Sequence, residues 1–283
     1  MGQKILYTTS YDDIIESISE ICNCKADNIR DYIQNSQPFK NTAIRDVRHK
    51  LFFNKIGINF NGHKEMYESI KFDTVVVSHL TTRITEPDTT DIYYLGKVLT
   101  ERTDISDFLA SKGLYFKRIP QGLMLYYNEE VVDWNNFNSS IASRIKVRLR
   151  VNGSYMDNCI NGFLFNHLFW EDGDVEHIRD CPEILSDICH VLRRNDIIKE
   201  WGALSKSYAL GFLAEVKDII FDEHTKFMTT KSKIYLIYKY VIYYLIQNYH
   251  GVWNPRFDNP KIRLHDNECV SKDKIIGFYE IKR

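Results

Sequence analysis

Three features of this 283-residue sequence predict an α+β fold. Isoleucines recur at three- and four-residue steps between residues 10 and 36. From Phe72 onward the texture changes to short strand-like runs. A long apolar helix over residues 232–250 is then followed by one last strand-like run, Ile275–Ile281. Helices first, then mixed strands and helices, then a final strand predict a mixed or antiparallel sheet domain with a helical N-terminal extension and helical insertions. No repeat, low-complexity stretch or clear linker interrupts the chain. The expected division is therefore a helical extension over residues 1–70 and an α+β domain over residues 71–283.

Taken in order, Ile14, Ile15, Ile18, Ile21, Ile29 and Ile33 mark the first helical stretch. Ser10 or Asp12 supplies its cap and Pro38 closes it. A second helical stretch, about residues 42–55, sets Arg45, Arg48, His49 and Lys50 beside Leu51, Phe52 and Phe53. Residues 74–78 read as a buried strand. Residues 105–113 read as a short helix with Gly113 at its end. Residues 123–127 and 131–134 flank Asn128, Glu129 and Glu130 in a hairpin pattern. Residues 145–151 alternate apolar and basic side chains and read as a half-exposed strand ending at Asn152 and Gly153. Residues 182–192 read as a helix, with Asp180 as cap and Pro182 in the first turn. Residues 212–221 fit a strand or a helix, and Gly251 stops the long apolar helix.

Composition narrows the function classes. The chain is 44% hydrophobic and 27% charged, with net charge −1. That balance excludes a global basic field for nucleic acid and the acidic excess of a disordered chain. Eighteen tyrosines and 16 phenylalanines offer stacking surfaces, most of them expected in the core. The N-terminus shows no apolar signal segment, and Leu6 stands where a myristoylation pattern has Ser or Thr. The apolar run at residues 234–246 is interrupted by Lys239 and too short to span a bilayer. A cytoplasmic protein with no membrane partner is expected. Cys22, Cys24, Cys159, Cys181, Cys189 and Cys269 show no CxxC pairing, so reduced and buried thiols are expected. His177, Cys181, Cys189 and His190 lack the tight knuckles of a zinc site, and no metal is expected.

The chemistry rests on three patches. The first is the run from Asp73 to Arg83, an apolar strand that delivers His79 at its exit and follows it with Thr81 and Thr82. The second is Asn161-Gly162-Phe163-Leu164-Phe165. The third is Asn267-Glu268, read as the start of the last strand. In this order they resemble the ADP-ribosyltransferase family. The resemblance covers three short patches within residues 72–281, and the stretch between Trp170 and Pro260 has no counterpart.

The resemblance implies NAD as substrate and transfer of ADP-ribose to a macromolecular acceptor, as in a toxin or antiviral defence effector. It implies that His79, with Thr81 and Thr82, holds ribose, and that Glu268 is the catalytic carboxylate. Leu164 stands where the poly(ADP-ribose) polymerase-type strand has tyrosine, so the nicotinamide wall falls to Phe163 or Phe165. Glu215 is the second candidate acid, because residues 214–221 also read as a strand that starts with an acid. Such a transfer needs a carboxylate near the cationic ribose, and neither metal nor nucleophilic side chain.

Each residue also has a structural role open to it. His79 can be a capped strand-end group, Gly162 a point of close backbone approach, and Glu268 a charge that guards an edge strand. Two rival functions stand beside the transferase. One is a non-enzymatic interaction or inhibitor protein that uses the N-terminal helices. The other is a nucleic-acid-binding module in which Arg144, Lys146, Arg148 and Arg150 of the 144–150 strand track phosphates. No GxGxxG follows a strand, which argues against a Rossmann-type enzyme.

Overall fold

The computed structural model describes residues 2–150, 158–222 and 227–282. The chain starts with β1 (Ile5–Leu6), followed by α1 (Tyr11–Cys22) and α2 (Ala26–Gln34). Ser10 caps α1, its hydroxyl accepting the Asp13 N–H at 3.1 Å, and Asp12 and Asp13 face the positive end of the helix. Asn23, at φ 52°, ends α1 in the left-handed conformation that asparagine tolerates. The second helical stretch is a 3-10 turn at Ile44–Asp46 followed by α3 (His49–Lys55), and α4 (His63–Ile70) comes next.

Then comes β2 (Thr74–Arg83), which is ten residues long and carries His79 inside the strand rather than at its exit. Its burial is continuous as far as Ser78 and alternates from His79 onward. The chain goes on through α5 (Leu95–Thr100) and α6 (Asp104–Ser111). Thr103 and Ser106 form a reciprocal capping box on α6, and Gly113 at φ 77° follows its end. A small meander follows: β3 (Leu114–Ile119), β4 (Gly122–Tyr127) and β5 (Glu130–Val131). Asn128 and Glu129, at φ 49° and 70°, form the two-residue turn whose twist matches the strands it joins.

The stretch read as the strand 145–151 is instead the helix α7 (Ser140–Arg148), while 151–153 lie outside the described residues. Ser139 caps this helix through the Ala142 N–H at 3.0 Å. Ala142, Ile145 and Leu149 are buried at three- and four-residue steps, a spacing that also satisfies part of a strand alternation. Two members of the basic stripe are paired with carboxylates. Arg144 donates to both carboxylate oxygens of Asp187, and Arg148 donates to Glu183 at 2.6 Å.

Beyond it lie β6 (Asn161–Phe163), α8 (Glu183–Val191), α9 (Asn195–Leu204), β7 (Lys206–Glu215) and β8 (Ile220–Phe221). Pro182, not Asp180, occupies the cap position of α8. The long helix α10 (Thr230–Tyr249) is capped by Thr229 and buried on most of its sides. It ends at Gly251, φ 66°, where Val252 N–H donates to Gln247 O at 2.9 Å. α11 (Pro255–Asp258), β9 (Lys261–Arg263) and β10 (Ile275–Ile281) complete the described chain. No helix among the described residues is long and apolar enough to cross a membrane.

The fold is mixed α+β, with a helical N-terminal region, helical insertions and two open sheets. The larger sheet has seven strands in the order β10-β7-β2-β6-β9-β8, with β1 parallel to β2; the smaller is β3-β4-β5. Two compact units are present. The first comprises Met1–Ser78, Gly162–Asp172 and Gly211–Arg263, and fully buries Ile15, Phe53, Val76, Phe165, Ile237 and Val241. The second comprises His79–Asn161, Gly173–Leu210 and Leu264–Arg283. Its core packs Phe108, Leu114, Leu125, Ile145, Ile188 and Trp201. Of the cysteines, Cys22, Cys181 and Cys189 are buried, whereas Cys269 is exposed, against the expectation of burial.

Candidate functional site

The second unit holds a cavity of about 400 Å³. One wall is the end of β2, where a period of two puts His79, Thr81 and Arg83 on the same half-buried face. Thr82 faces the other way, is buried, and accepts the Trp201 Nε1–H at 3.3 Å, although part of it also lines the cavity. The facing wall is the run from Thr90 to Tyr93, continued by Val98 of α5 and the first turn of α6.

His79 is held from one side. Its Nδ1–H donates to the Asn161 carbonyl at 2.6 Å, which leaves Nε2 as the free acceptor. Enclosure of the ring pushes its pKa down to about 4; the neighbouring Arg83 acts in the same direction, and the carbonyl partly opposes them. At neutral pH the ring is therefore an uncharged hydrogen-bonding group.

Arg83 is a cavity-lining residue that the sequence reading missed. Its Nη1 donates to Thr90 Oγ1 at 2.9 Å, and burial lowers its pKa despite the nearby Asp104. Continuing the alternation of His79 and Thr81 by two residues would have found it. Asp104 links the walls: its Oδ2 accepts the N–H groups of Ile84 at 2.9 Å and Thr85 at 2.8 Å.

Glu268 does not start the last strand. It lies in the turn before the isolated bridge residue Val270, and β10 starts only at Ile275. The cause is local. Asn267 is left-handed at φ 66°, and a 3-10 turn at Lys272–Lys274 delays the strand. The segment is nonetheless fixed to the cavity wall. Val270 and Ile92 exchange backbone bonds of 2.8 and 2.9 Å, and Lys272 N–H donates to Asp91 Oδ1 at 2.9 Å. The buried Asn158 braces the turn, accepting the Gly96 N–H at 2.8 Å through Oδ1 and the Asn267 N–H at 3.0 Å through its carbonyl. Glu268 itself is half-buried, and it is not one of the residues that line the cavity.

The remaining candidates lie in the first unit. Glu215 ends β7 rather than starting a strand, and pairs with Lys217 at 2.7 Å. Phe163 is buried against Phe169, with ring centroids 5.3 Å apart. Phe165 stacks on Tyr244 at 4.4 Å and meets Trp253 edge-on at 5.5 Å. Gly162 marks a close approach: an added Cβ would stand 2.5 Å from the Ser78 carbonyl. The aromatic side chain that lines the cavity is Tyr93, whose ring carries Lys97 Nζ 4.1 Å from its centroid.

Comparison with protein families, with curated proteins and with solved structures gives no match.

Proposed function

We propose that this cavity binds NAD and that the chain transfers ADP-ribose from it to a macromolecular acceptor, as an ADP-ribosyltransferase-like protein. One observation carries the reading. The segment bearing Glu268 is hydrogen-bonded along Asp91 and Ile92, and those two residues line the cavity that His79 and Thr81 enter. The segment that follows Glu268 thus borders the wall of the cavity that the histidine strand lines, and this supports a shared site for the two.

Cleaving the nicotinamide–ribose bond builds positive charge on the sugar, and a fixed carboxylate lowers the barrier by countering it. Glu268 has that role. Neutral His79 offers Nε2 to a ribose hydroxyl, and Thr81 adds a hydroxyl on the same face. The cavity volume falls in the range of pockets that hold small ligands, roughly 300–1,000 Å³. The lining also mixes signs, with Arg83 and Arg102 beside Asp91, Asp104 and Asp107. Such a surface suits a ligand that carries both a cationic ring and a diphosphate. A toxin or defence role follows only by analogy with other NAD-consuming proteins.

Titration of the purified protein with NAD tests the reading. A saturating rise in melting temperature is expected, since ligand at a hundredfold over its Kd adds about 2.7 kcal/mol. A folded sample that shows neither this rise nor release of nicotinamide overturns it.

A further inference from the structure

Several arginines elsewhere among the described residues are paired with carboxylates. Arg144 and Arg148 meet Asp187 and Glu183, Arg194 meets Asp196 at 2.8 Å, and Arg263 meets Asp222 at 3.1 Å. Arg83 is different. It is half-buried in the cavity wall, its one hydrogen bond there goes to Thr90 Oγ1, and no carboxylate among the described residues lies within ion-pair distance.

The acids around it direct their hydrogen bonds to other groups, although Asp104 lies near enough to act on its charge. Asp104 Oδ2 accepts two backbone N–H groups and the Thr85 hydroxyl, Asp91 Oδ1 accepts Lys272 N–H, and Asp107 faces Arg102 at 3.4 Å. A guanidinium remains charged in any protein environment, and enclosing it without an anion costs stability. A charge held at such a cost in a cavity marks a binding group.

We infer that Arg83 is the anion-binding group of this cavity and that its ligand carries a diphosphate, as a nucleoside diphosphate does. The planar fork of Arg83 has donors to spare after Thr90, which suits two phosphate oxygens at once. Thr81 and Thr90 line the same space and offer hydroxyls to the remaining oxygens, whereas the Thr85 hydroxyl is already donated to Asp104. The inference rests on the NAD reading for the identity of the whole ligand, but makes a separate claim about the charged part.

Calorimetric titrations of the full chain with ADP, pyrophosphate and adenosine test it, comparing wild type with Arg83→Gln and Arg83→Lys. ADP and pyrophosphate should bind wild type, and Arg83→Gln should weaken both by on the order of tenfold to a hundredfold. Arg83→Lys should fall between, because it keeps the charge and loses the fork. Adenosine binding should not change, and urea unfolding of both variants establishes that they are folded. If ADP and pyrophosphate bind folded Arg83→Gln as they bind wild type, or bind wild type not at all, the inference is wrong. Diphosphate binding through Arg83 without NAD turnover would keep this inference and remove the transferase. NAD turnover with an unchanged KM in Arg83→Gln would do the reverse.

Discussion

His79 is neutral in the folded chain because enclosure penalises its charged form, and this links stability to pH. Its folded pKa of about 4 lies below the ordinary histidine value of 6.5. Between those values the unfolded chain binds the extra proton, so stability is complete above about pH 6.5 and falls as pH drops towards 4. His49, which burial also holds at about 4, adds to the same slope. His79→Gln should therefore flatten part of the loss in urea-unfolding free energy over that window, leaving the part that belongs to His49 and to His167, whose pKa burial also lowers. An unchanged slope would mean that His79 is not enclosed. Glu268 poses a different question, since its proposed role is chemical. Glu268→Gln should lower the NAD-dependent rate on the order of a hundred- to a thousandfold, the usual cost of losing a preorganised electrostatic group. Its stability should change by no more than about 0.5 kcal/mol, as for a residue outside the core. Glu215→Gln, which disrupts the pair with Lys217 and lies outside the cavity lining, should leave the rate intact. Equal rates for wild type and Glu268→Gln would give the role to another group.

Among the elements, β2 and β6 depend on close approach and α7 and α8 on charge. At Gly162 a Cβ would meet Ser78 O at 2.5 Å and Val77 Cγ1 at 2.6 Å, and the carbonyl belongs to a strand backbone that cannot swing aside. Gly162→Ala should thus cost about 1–3 kcal/mol, the range for overpacking, read as a lower urea midpoint. An unshifted midpoint would mean that the strands separate freely. Asp187 is nearly buried and receives both Arg144 donors, so Asp187→Ala should destabilise by about 1.5–3 kcal/mol, typical of charge-assisted hydrogen bonds. An Arg144→Ala, Asp187→Ala double-mutant cycle isolates the pair. These elements also divide what the sequence made legible from what it did not. Ser10 and Gly251 carry local cap chemistry, and the start of α1 and the end of α10 were readable from it, whereas the Thr229 cap at the start of α10 was not read. α7 was not, because burial of Ile145 and Leu149 four residues apart also fits the alternation of a strand. Its deciding partners, Glu183 and Asp187, lie far along the chain. β2 was cut short for a related reason: the alternation of His79, Thr81 and Arg83 appears only where the strand stops being buried on both faces.

At the scale of the whole molecule, the α+β class could be read from the order of local patterns, because each helix and hairpin carries its own signals. The arrangement of strands could not, since the order β10-β7-β2-β6-β9-β8 consists of pairings between segments distant in sequence. The candidate site is a mixed case. His79 and Thr81 were legible as a pair, whereas the bridge from Val270 to Ile92 that brings the Glu268 turn to the cavity is a long-range contact. Net charge −1 gives no global field to steer an anionic ligand, so in the proposed reading recognition of a dinucleotide falls to groups inside the cavity, above all Arg83 and His79. The most direct test of this account is incubation of the purified chain with labelled NAD and cell lysate, beside Glu268→Gln. The account predicts release of nicotinamide and label on a protein or nucleic acid with wild type, both lost in the variant. A folded wild type that consumes no NAD at saturation would contradict it.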